Sequence, residues 1–223
     1  MTPAAQPPSA TSNLAAPNPA APIAYILAGG GSTRFGQDKA LAELGGQPML
    51  LRMRDLLATV SDTINVIAPP EKYSALGIRG IPDLWPGEGP LGGIITALEH
   101  SQGNFPGREW QIILSCDMPF LNTEWLNFLA QRAAQSPAQV VLPQSTHGFE
   151  PLCACYRTNA LASLRADFAA DIRRVNAALQ HLNREVLDEA VWKRFDNAGR
   201  LFWNMNAPAD YADARRILNP EQS

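Results

Sequence analysis

A glycine-rich segment with two cationic side chains is the part of this sequence best suited to chemistry. It reads I-L-A-G-G-G-S-T-R-F-G-Q-D-K over residues 26–39 and extends a short apolar run. Glycines allow positive φ angles and let successive backbone N–H groups converge on an anion. Arg34 and Lys39 add positive charge beside them. The segment therefore predicts a site for a phosphate chain.

The glycine spacing excludes the two best-known phosphate-binding motifs. A dinucleotide fingerprint, G-x-G-x-x-G, counted from Gly29 places Arg34 where the third glycine belongs. A P-loop, G-x-x-x-x-G-K-[ST], fits the spacing of Gly31 and Gly36, but glutamine and aspartate follow in place of Lys and Ser or Thr. Two interpretations remain: a different phosphate-binding loop, or a flexible glycine-rich turn with incidental cations.

The carboxylate of Asp117 is the second candidate for chemistry. It closes the apolar segment W-Q-I-I-L-S-C, and Pro119 then stops the predicted strand. Open α/β sheets bind ligands in the crevice at the carboxyl ends of their strands, and a carboxylate there can ligate a hard ion such as Mg²⁺. The alternative role for Asp117 is to cap a nearby turn.

The pattern of apolar residues predicts the scaffold that must position these groups. The first three predicted strands are nearly continuous apolar runs, which is typical of parallel strands covered on both faces. Predicted strands lie at 23–28, 63–68, 110–115, 139–143, 151–156 and 200–205. Predicted helices lie at 48–60, 91–100, 123–134 and 208–218, and residues 157–194 read as mostly helical. The alternation predicts a three-layer α/β/α sandwich, Rossmann-like with a mainly parallel sheet.

Length, composition and charge restrict the class of protein. The 223 residues suit one globular domain, predicted over 23–219, and residues 1–22 read as a disordered Ala/Pro-rich leader without charged side chains. No apolar stretch approaches the roughly 18 residues of a membrane span. A net charge of −3 gives no basic field for nucleic acid. We therefore expect a cytoplasmic protein that binds neither membrane nor nucleic acid.

The three cysteines, Cys116, Cys153 and Cys155, form no disulfide framework. Cys153 and Cys155 alternate along a predicted strand, so both should point to one face as small buried thiols. No C-x-x-C partner exists to complete a metal site.

Four motifs in a fixed order resemble those of the nucleotidyltransferase superfamily. They are L-A-G-G-G-S-T-R-F-G-Q-D-K-A-L (27–41), P-G-E-G-P-L-G-G (86–93), C-D-M-P-F (116–120) and N-M-N-A-P-A-D-Y (204–211). Within that superfamily, L-A-G-G followed by D-K-A-L is similar to the molybdenum cofactor guanylyltransferases. The resemblance covers nearly the whole chain after the leader and implies a fold of the nucleotide-diphospho-sugar transferase type. It also implies a reaction, in which the terminal phosphate of the molybdenum-bearing pterin attacks the α-phosphorus of GTP and pyrophosphate leaves.

The resemblance implies a role for each candidate residue. Nucleotide contacts are implied for Leu27, Ala28, Gly29, Gly30, Gly31, Ser32, Lys39, Asp83 and Asp117. Arg34, Lys39 and Asp117 would be catalytic, because the two cations neutralise the triphosphate and the departing pyrophosphate. Mg²⁺ is the implied cofactor, with Asp117 as ligand and Asn206 as second contributor. The alternative role for Asn206 is to hold the fold.

One position departs from the family pattern. Relatives carry an asparagine after the second strand that touches the nucleotide, whereas here Asn65 lies two residues early and Ile67 takes the matched position. The loop from Ser145 to Pro151 is expected to face the pterin, and His147 within it is either a phosphate contact or an uninvolved surface residue.

The implied partners are GTP, molybdenum-molybdopterin, and a molybdenum insertase or molybdoenzyme apoproteins that receive the product. Three alternatives stay open at this point. They are a cytidylyltransferase acting on the same pterin, another NTP-dependent nucleotidyltransferase, and a non-catalytic nucleotide-binding module. A dinucleotide-dependent oxidoreductase is already excluded by the glycine spacing.

Overall fold

The computed structural model describes residues 21–29, 38–196 and 198–218, and the elements below are those of the described residues. Its strands are β1 Ile23–Leu27, β2 Glu43–Leu44, β3 Gln47–Pro48, β4 Ile64–Ile67, β5 Trp110–Ser115, β6 Val140–Ser145, β7 Gly148–Phe149, β8 Cys153–Arg157 and β9 Arg184–Leu187. Its α-helices are α1 Met49–Leu57, α2 Pro90–Asn104, α3 Thr123–Gln135, α4 Leu161–Ala169, α5 Val175–Ala178, α6 Glu189–Trp192 and α7 Pro208–Leu218. All but the last two residues of the predicted leader lie outside the described residues.

The central sheet is mixed but mainly parallel. Its strands run in the order β4-β1-β5-β8-β6-β7, with β9 paired to β6. Strands β4, β1 and β5 are parallel neighbours, β9 is parallel to β6, and β8 runs antiparallel between β5 and β6. Strand β5 is buried along its whole length, as its continuous apolar run predicts.

Helices cover both faces of this sheet, which confirms the predicted three-layer fold. Side chains alternate along β1, so Ala24 and Ile26 face one core cluster while Ile23 and Tyr25 face the other. The first cluster packs beneath α1, α3 and α7, and the second beneath α2, α4 and α5. None of the described helices is long and apolar enough to cross a membrane.

The predicted long helices are found, with small differences at their ends. Asn122 caps α3, because its side-chain oxygen accepts from the Trp125 N–H at 2.9 Å. Helix α1 ends at Leu57 rather than at residue 60, since the N–H groups of Val60 and Ser61 both turn back to the Leu57 carbonyl. Helix α2 runs four residues past its predicted end, to Asn104.

The prediction of a strand at 200–205 is wrong. The N–H groups of Arg200 and Leu201 donate to the carboxylate of Asp196, at 2.8 and 3.0 Å, instead of to a neighbouring strand. The apolar residues that suggested a strand, Leu201, Phe202 and Met205, are buried as an irregular segment in the first core cluster. Burial alone therefore produced the strand-like pattern.

Three short pairings were not predicted from the sequence. Strand β9 lies inside the segment predicted as mostly helical and pairs in parallel with β6. Strands β2 and β3 form a hairpin whose turn residues Gly45 and Gly46 have φ angles of 62° and 81°, a conformation that favours glycine. Strands β6 and β7 form a second hairpin at the end of the sheet.

Candidate active site

The loops after β1, β4 and β5 begin side by side at one edge of the sheet, because these strands are parallel neighbours. Leu27, the last residue of β1, pairs with Ile67 on one side and Ser115 on the other. Gly29, which follows Ala28, and the loop that begins at Cys116 therefore lie at one edge of the sheet, where a crevice can form. Such a crevice is where open α/β sheets bind their ligands.

Three of the residues singled out from the sequence converge at this edge. The ammonium nitrogen of Lys39 lies 3.6 Å from Asp117 Oδ2 and donates to Asn206 Oδ1 at 3.2 Å. The side chains of Lys39 and Asp117 are 18% and 24% exposed, so they are shielded but still reachable by a ligand. Residues from three distant parts of the chain thus form one small cluster of a cation and two oxygen donors.

Local hydrogen bonds hold the two oxygen donors in place. The Ser115 hydroxyl donates to Asp117 Oδ1 at 2.5 Å, and the Met205 N–H donates to the Asp117 carbonyl at 2.8 Å. The Asn206 N–H donates to Asp210 Oδ2 at 2.7 Å in the first turn of α7. The backbone bond from Met205 is what brings the late N-M-N segment beside the end of β5.

A cavity of about 400 Å³ opens at the same edge of the sheet and is of a size that suits a small ligand. The loop between β4 and α2 forms much of its wall, and Gly87 and Gly89 in that loop have φ angles of 86° and 85°. A Cβ at Gly93 would lie 3.2 Å from Leu27 Cδ1, so glycine lets α2 approach β1 closely. The lining residues are Leu27, Gly29, Ile67, Asp83, Gly87, Gly89, Pro90, Gly93 and Leu152.

Asp83 lies on the wall of this cavity. Its Oδ1 accepts from the Trp85 N–H at 3.0 Å and from the Thr96 hydroxyl at 2.9 Å. These bonds orient the carboxylate and also shape the turn that leads to α2. Asp83 therefore both shapes this turn and lies on the cavity wall.

The structure places only part of the glycine-rich segment. Leu27 and Gly29 line the cavity, and the Ala28 N–H donates to the Ile67 carbonyl at 3.0 Å. Gly30, Gly31, Ser32 and Arg34 lie outside the described residues, and their implied contacts with phosphates stay predictions. Ile67 lines the cavity and Asn65 does not, in agreement with the two-residue offset seen in the sequence.

Two residues that sequence reasoning missed, Lys72 and Tyr73, both contact Ala28 and Asp38. Tyr73 is buried, with its hydroxyl 2.8 Å from the Ala28 carbonyl and 3.0 Å from Asp38 Oδ2. Lys72 Nζ lies 3.1 Å from the same carbonyl and 2.9 Å from the same carboxylate oxygen. No periodicity or motif marks the segment E-K-Y in the sequence, so these contacts emerge only from the fold.

The cysteines take no part in this cluster. Burial raises the pKa of the Cys116, Cys153 and Cys155 thiols, so none is ionised near neutral pH. Cys153 and Cys155 both point into the first core cluster, as their alternation predicts. Within the described ranges no group of three His, Cys, Asp or Glu side chains could hold a metal ion.

The β6–β7 hairpin, which the sequence suggested for the pterin side, carries a buried acid. The Ser145 hydroxyl donates to Glu150 Oε1 at 2.6 Å, and burial raises the pKa of the Glu150 carboxyl. His147 lies exposed on the turn between the two strands. The hairpin extends from the end of β6, and its expected position facing the pterin stays a prediction.

The cavity and the cluster of Lys39, Asp117 and Asn206 both lie at the carboxyl ends of parallel strands, as expected of an α/β nucleotidyltransferase. A family model described as the MobA-like NTP transferase domain matches residues 24–186, and the chain belongs to this family. The family resemblance drawn from the four sequence motifs is thereby confirmed.

Curated relatives and solved structures agree with this membership. The chain is 38% identical over 192 residues to a probable molybdenum cofactor guanylyltransferase of Deinococcus radiodurans, covering 85% of this chain and 92% of the relative. It is 33% identical over 207 residues to the molybdenum cofactor guanylyltransferase of Rhodopseudomonas palustris, covering 91% and 96%. The crystal structure of molybdopterin-guanine dinucleotide biosynthesis protein A from Archaeoglobus fulgidus aligns with a TM-score of 0.74 at 25% identity, covering 87% of this chain and 97% of that one.

A more distant structure shows how widely this fold is shared. CMP:2-keto-3-deoxy-manno-octonic acid synthetase, solved with CTP, aligns with a TM-score of 0.64 at 15% identity and covers 90% of this chain and 99% of that one. At that identity the likeness concerns the fold alone. Base preference must therefore be argued from nearer relatives and tested directly.

Proposed function

We propose that this protein is a molybdenum cofactor guanylyltransferase, which transfers GMP from GTP to molybdenum-molybdopterin and releases pyrophosphate. The curated relatives that it matches over more than four-fifths of its length carry this name. The observation in the structure that carries the proposal is the meeting of Lys39, Asp117 and Asn206 at the sheet edge that holds the cavity.

The proposed binding mode divides the nucleotide between the cavity and the cation-bearing loop. Guanine and ribose occupy the cavity, against Leu27, the backbone of Ala28 and Gly29, and the carboxylate of Asp83. The triphosphate then extends along the glycine-rich segment toward Lys39. This arrangement uses close backbone approach for the sugar and local positive charge for the phosphates, in a chain whose net charge is −3.

The proposed reaction is an in-line displacement at the α-phosphorus. An oxygen of the terminal phosphate of the pterin forms a bond to the α-phosphorus, and the bond from that phosphorus to the α–β bridging oxygen breaks. The electron pair leaves with pyrophosphate, where negative charge accumulates. Lys39 and Arg34 are proposed to neutralise that charge, because such transfers depend mainly on positioning and electrostatic stabilisation.

Mg²⁺ is the proposed cofactor, and the donor set fits it. Asp117 Oδ2 and Asn206 Oδ1 both face the position taken by the Lys39 ammonium, so two hard oxygen donors already converge on a cation. Mg²⁺ in such enzymes takes one or two protein oxygens and completes its shell with water and substrate phosphates. When bound it would supply charge neutralisation at the reacting phosphates.

The experiment that tests the proposed function measures pyrophosphate release with GTP, CTP or ATP in the presence of molybdenum-loaded pterin. GTP should give the highest kcat/KM. A preference for CTP would show that the protein is a cytidylyltransferase with the same chemistry. Absence of turnover with all three nucleotides would favour a non-catalytic nucleotide-binding module, although both Lys39 and Asp117 are retained here.

The proposed setting follows from the substrates. GTP and the molybdenum-bearing pterin are small anionic molecules, and the guanine dinucleotide product must pass to an insertase or a molybdoenzyme apoprotein. We propose that transfer takes place in the cytoplasm, where GTP is available. Addition of NAD should not change the melting temperature, because the glycine spacing does not match a dinucleotide fingerprint.

A further inference from the structure

A compact excursion of the chain, residues 69–81, leaves the end of β4 and returns to the same strand. The Ala68 N–H donates to the Ile81 carbonyl at 2.9 Å, and the Ile81 N–H donates to the Val66 carbonyl at 2.8 Å. Gly80 permits this return, since a Cβ there would lie 2.5 Å from the Ala68 carbonyl oxygen. The excursion places Lys72 and Tyr73 against Ala28 and Asp38.

Lys72 and Tyr73 bind Ala28 and Asp38, the residues on either side of positions 29–37. Both the Tyr73 hydroxyl and Lys72 Nζ lie within 3.1 Å of the Ala28 carbonyl oxygen and of Asp38 Oδ2. The hydroxyl has one proton and donates to one acceptor at a time, while the ammonium has three and supplies the other. In the sequence, Ala28 precedes positions 29–37 and Asp38 follows them.

Asp38 in turn fixes the start of the helical turn Lys39–Leu41. Its Oδ1 accepts from the Ala40 N–H at 3.1 Å, as a capping residue does. Lys39 is the first residue of that turn and directs its ammonium to Asp117 and Asn206. A chain of direct contacts therefore leads from Tyr73 through Asp38 to the helical turn that begins at Lys39.

We propose that Tyr73 and Lys72 are positioning residues that fix Ala28 relative to Asp38 and so fix the site for the nucleotide triphosphate. On one side they set the backbone of Gly29 at the cavity, and on the other they set Lys39 at Asp117. The inference rests on the proposed nucleotidyl transfer for the nature of the ligand. It adds residues that touch neither substrate nor metal but act through Ala28 and Asp38.

Loss of this positioning should weaken the binding of polyphosphates more than the binding of other ligands. If the two flanks were not held, binding of a polyphosphate would have to order them, and that conformational cost would weaken the affinity. A ligand held mainly in the cavity, such as a nucleoside monophosphate, would lose little. The expected signature is therefore a fall in the ratio of triphosphate to monophosphate affinity.

The experiment compares Tyr73→Phe with Tyr25→Phe by calorimetric titration with GTP and with GMP. Tyr25 is the matched control, because it is also a buried tyrosine whose hydroxyl makes a hydrogen bond, with His100 Nδ1 at 2.9 Å, but on the opposite face of the sheet. Tyr73→Phe should weaken GTP binding roughly 5- to 10-fold, the loss expected for one hydrogen bond, and GMP binding less than about 2-fold. Tyr25→Phe should change neither affinity. Equal GTP-to-GMP ratios in both variants would overturn the inference.

Asp38→Asn provides a second test that also serves if Tyr73→Phe fails to fold. Removing a negative charge next to Lys39 would strengthen binding of a polyanion if only Coulomb forces acted. The positioning role predicts the opposite, weaker GTP binding with little change for GMP, and losses in the double variant with Tyr73→Phe that are less than additive. Tighter GTP binding by Asp38→Asn would overturn the inference.

The same titrations separate failure of this inference from failure of the proposed function. If the wild type binds CTP in preference to GTP, the substrate assignment is corrected and the comparison is made with CTP and CMP. If the wild type binds no nucleotide triphosphate, the proposed function is refuted and the inference with it.

Discussion

Asp117 offers the sharpest test of the active-site geometry, because one isosteric substitution removes its charge and little else. In Asp117→Asn the Ser115 hydroxyl, which donates to Oδ1 at 2.5 Å, still finds an amide oxygen as acceptor. The charge that is lost faces Lys39 Nζ at 3.6 Å and belongs to the proposed Mg²⁺ ligand. The variant therefore separates the charge of the carboxylate from its shape.

The expected loss of rate is large and the expected loss of stability is small. Removing one preorganised electrostatic stabiliser of a transition state lowers kcat by ~10²- to 10³-fold, which corresponds to about 3–4 kcal/mol. The side chains of Lys39 and Asp117 are 18% and 24% exposed, and a partly solvated pair of this kind is worth about 1 kcal/mol or less. The rate should therefore fall far more than the free energy of unfolding.

The assay measures pyrophosphate release over a range of Mg²⁺ concentrations, together with unfolding in urea. Asp55→Asn is the matched control, since Asp55 is a half-exposed acid on α1 that pairs with its neighbour Arg54. The control should keep the wild-type rate and Mg²⁺ dependence. A rate for Asp117→Asn within tenfold of wild type, or a drop of several kcal/mol in its stability, would refute the reasoning.

Two further substitutions test the cavity and the buried acid. In Gly93→Ala the new methyl group meets Leu27 Cδ1 at 3.2 Å and pushes that side chain toward the cavity, so the Kd for GTP should rise several-fold in calorimetric titration. Helix propensity favours the alanine by up to about 1 kcal/mol, and a large drop in melting temperature without loss of affinity would contradict this account. The pKa of Glu150 is raised by burial, so its contribution to stability is fully present below pH 4.5 and is lost as the pH rises through its pKa in the folded protein. Glu150→Gln should therefore gain stability relative to wild type between pH 4 and pH 7 in urea unfolding, and a difference that is independent of pH would be inconsistent with the buried carboxyl.

The features predicted correctly from the sequence are those set by local pattern. Neighbouring residues in the sequence determine the apolar runs of β1 and β5 and the cap at Asn122. Helix α7 was predicted with its observed bounds, Pro208–Leu218. The position of Asp117 followed from the same logic, since a residue that ends a central parallel strand must lie at the ligand-binding edge.

The features that were missed depend on partners far away in the chain. Strand β9 exists because β6, more than forty residues earlier, offers it a parallel ladder. The apolar residues of the segment 200–205 are buried in the core. The segment forms no strand, because the N–H groups of Arg200 and Leu201 donate to the Asp196 carboxylate instead of to a neighbouring strand. Tyr73 is 45 residues from Ala28 and 35 residues from Asp38 in the sequence, and no local pattern predicts its contacts with them.

The two oxygen atoms proposed for Mg²⁺ already face a cation, which leads to a prediction about the protein without nucleotide. Asn206 Oδ1 accepts from Lys39 Nζ at 3.2 Å, and Asp117 Oδ2 lies 3.6 Å from it. A divalent ion must compete with this ammonium and is also repelled by it. When a triphosphate is bound, its anionic oxygens give Lys39 another partner and add ligands for the metal, so metal and nucleotide should bind cooperatively.

Lys39→Met should therefore bind Mn²⁺, a paramagnetic probe for the Mg²⁺ site, more tightly than the wild type in the absence of nucleotide, even though transfer is lost. The paramagnetic resonance signal of free Mn²⁺ measures this affinity. Lys193→Met is the control, because Lys193 lies on the exposed surface and pairs with Glu189 one helical turn away. Unchanged or weaker Mn²⁺ binding by Lys39→Met would show that the oxygens of Asp117 and Asn206 do not form the metal site, since the ammonium that faces both of them would have been removed without effect.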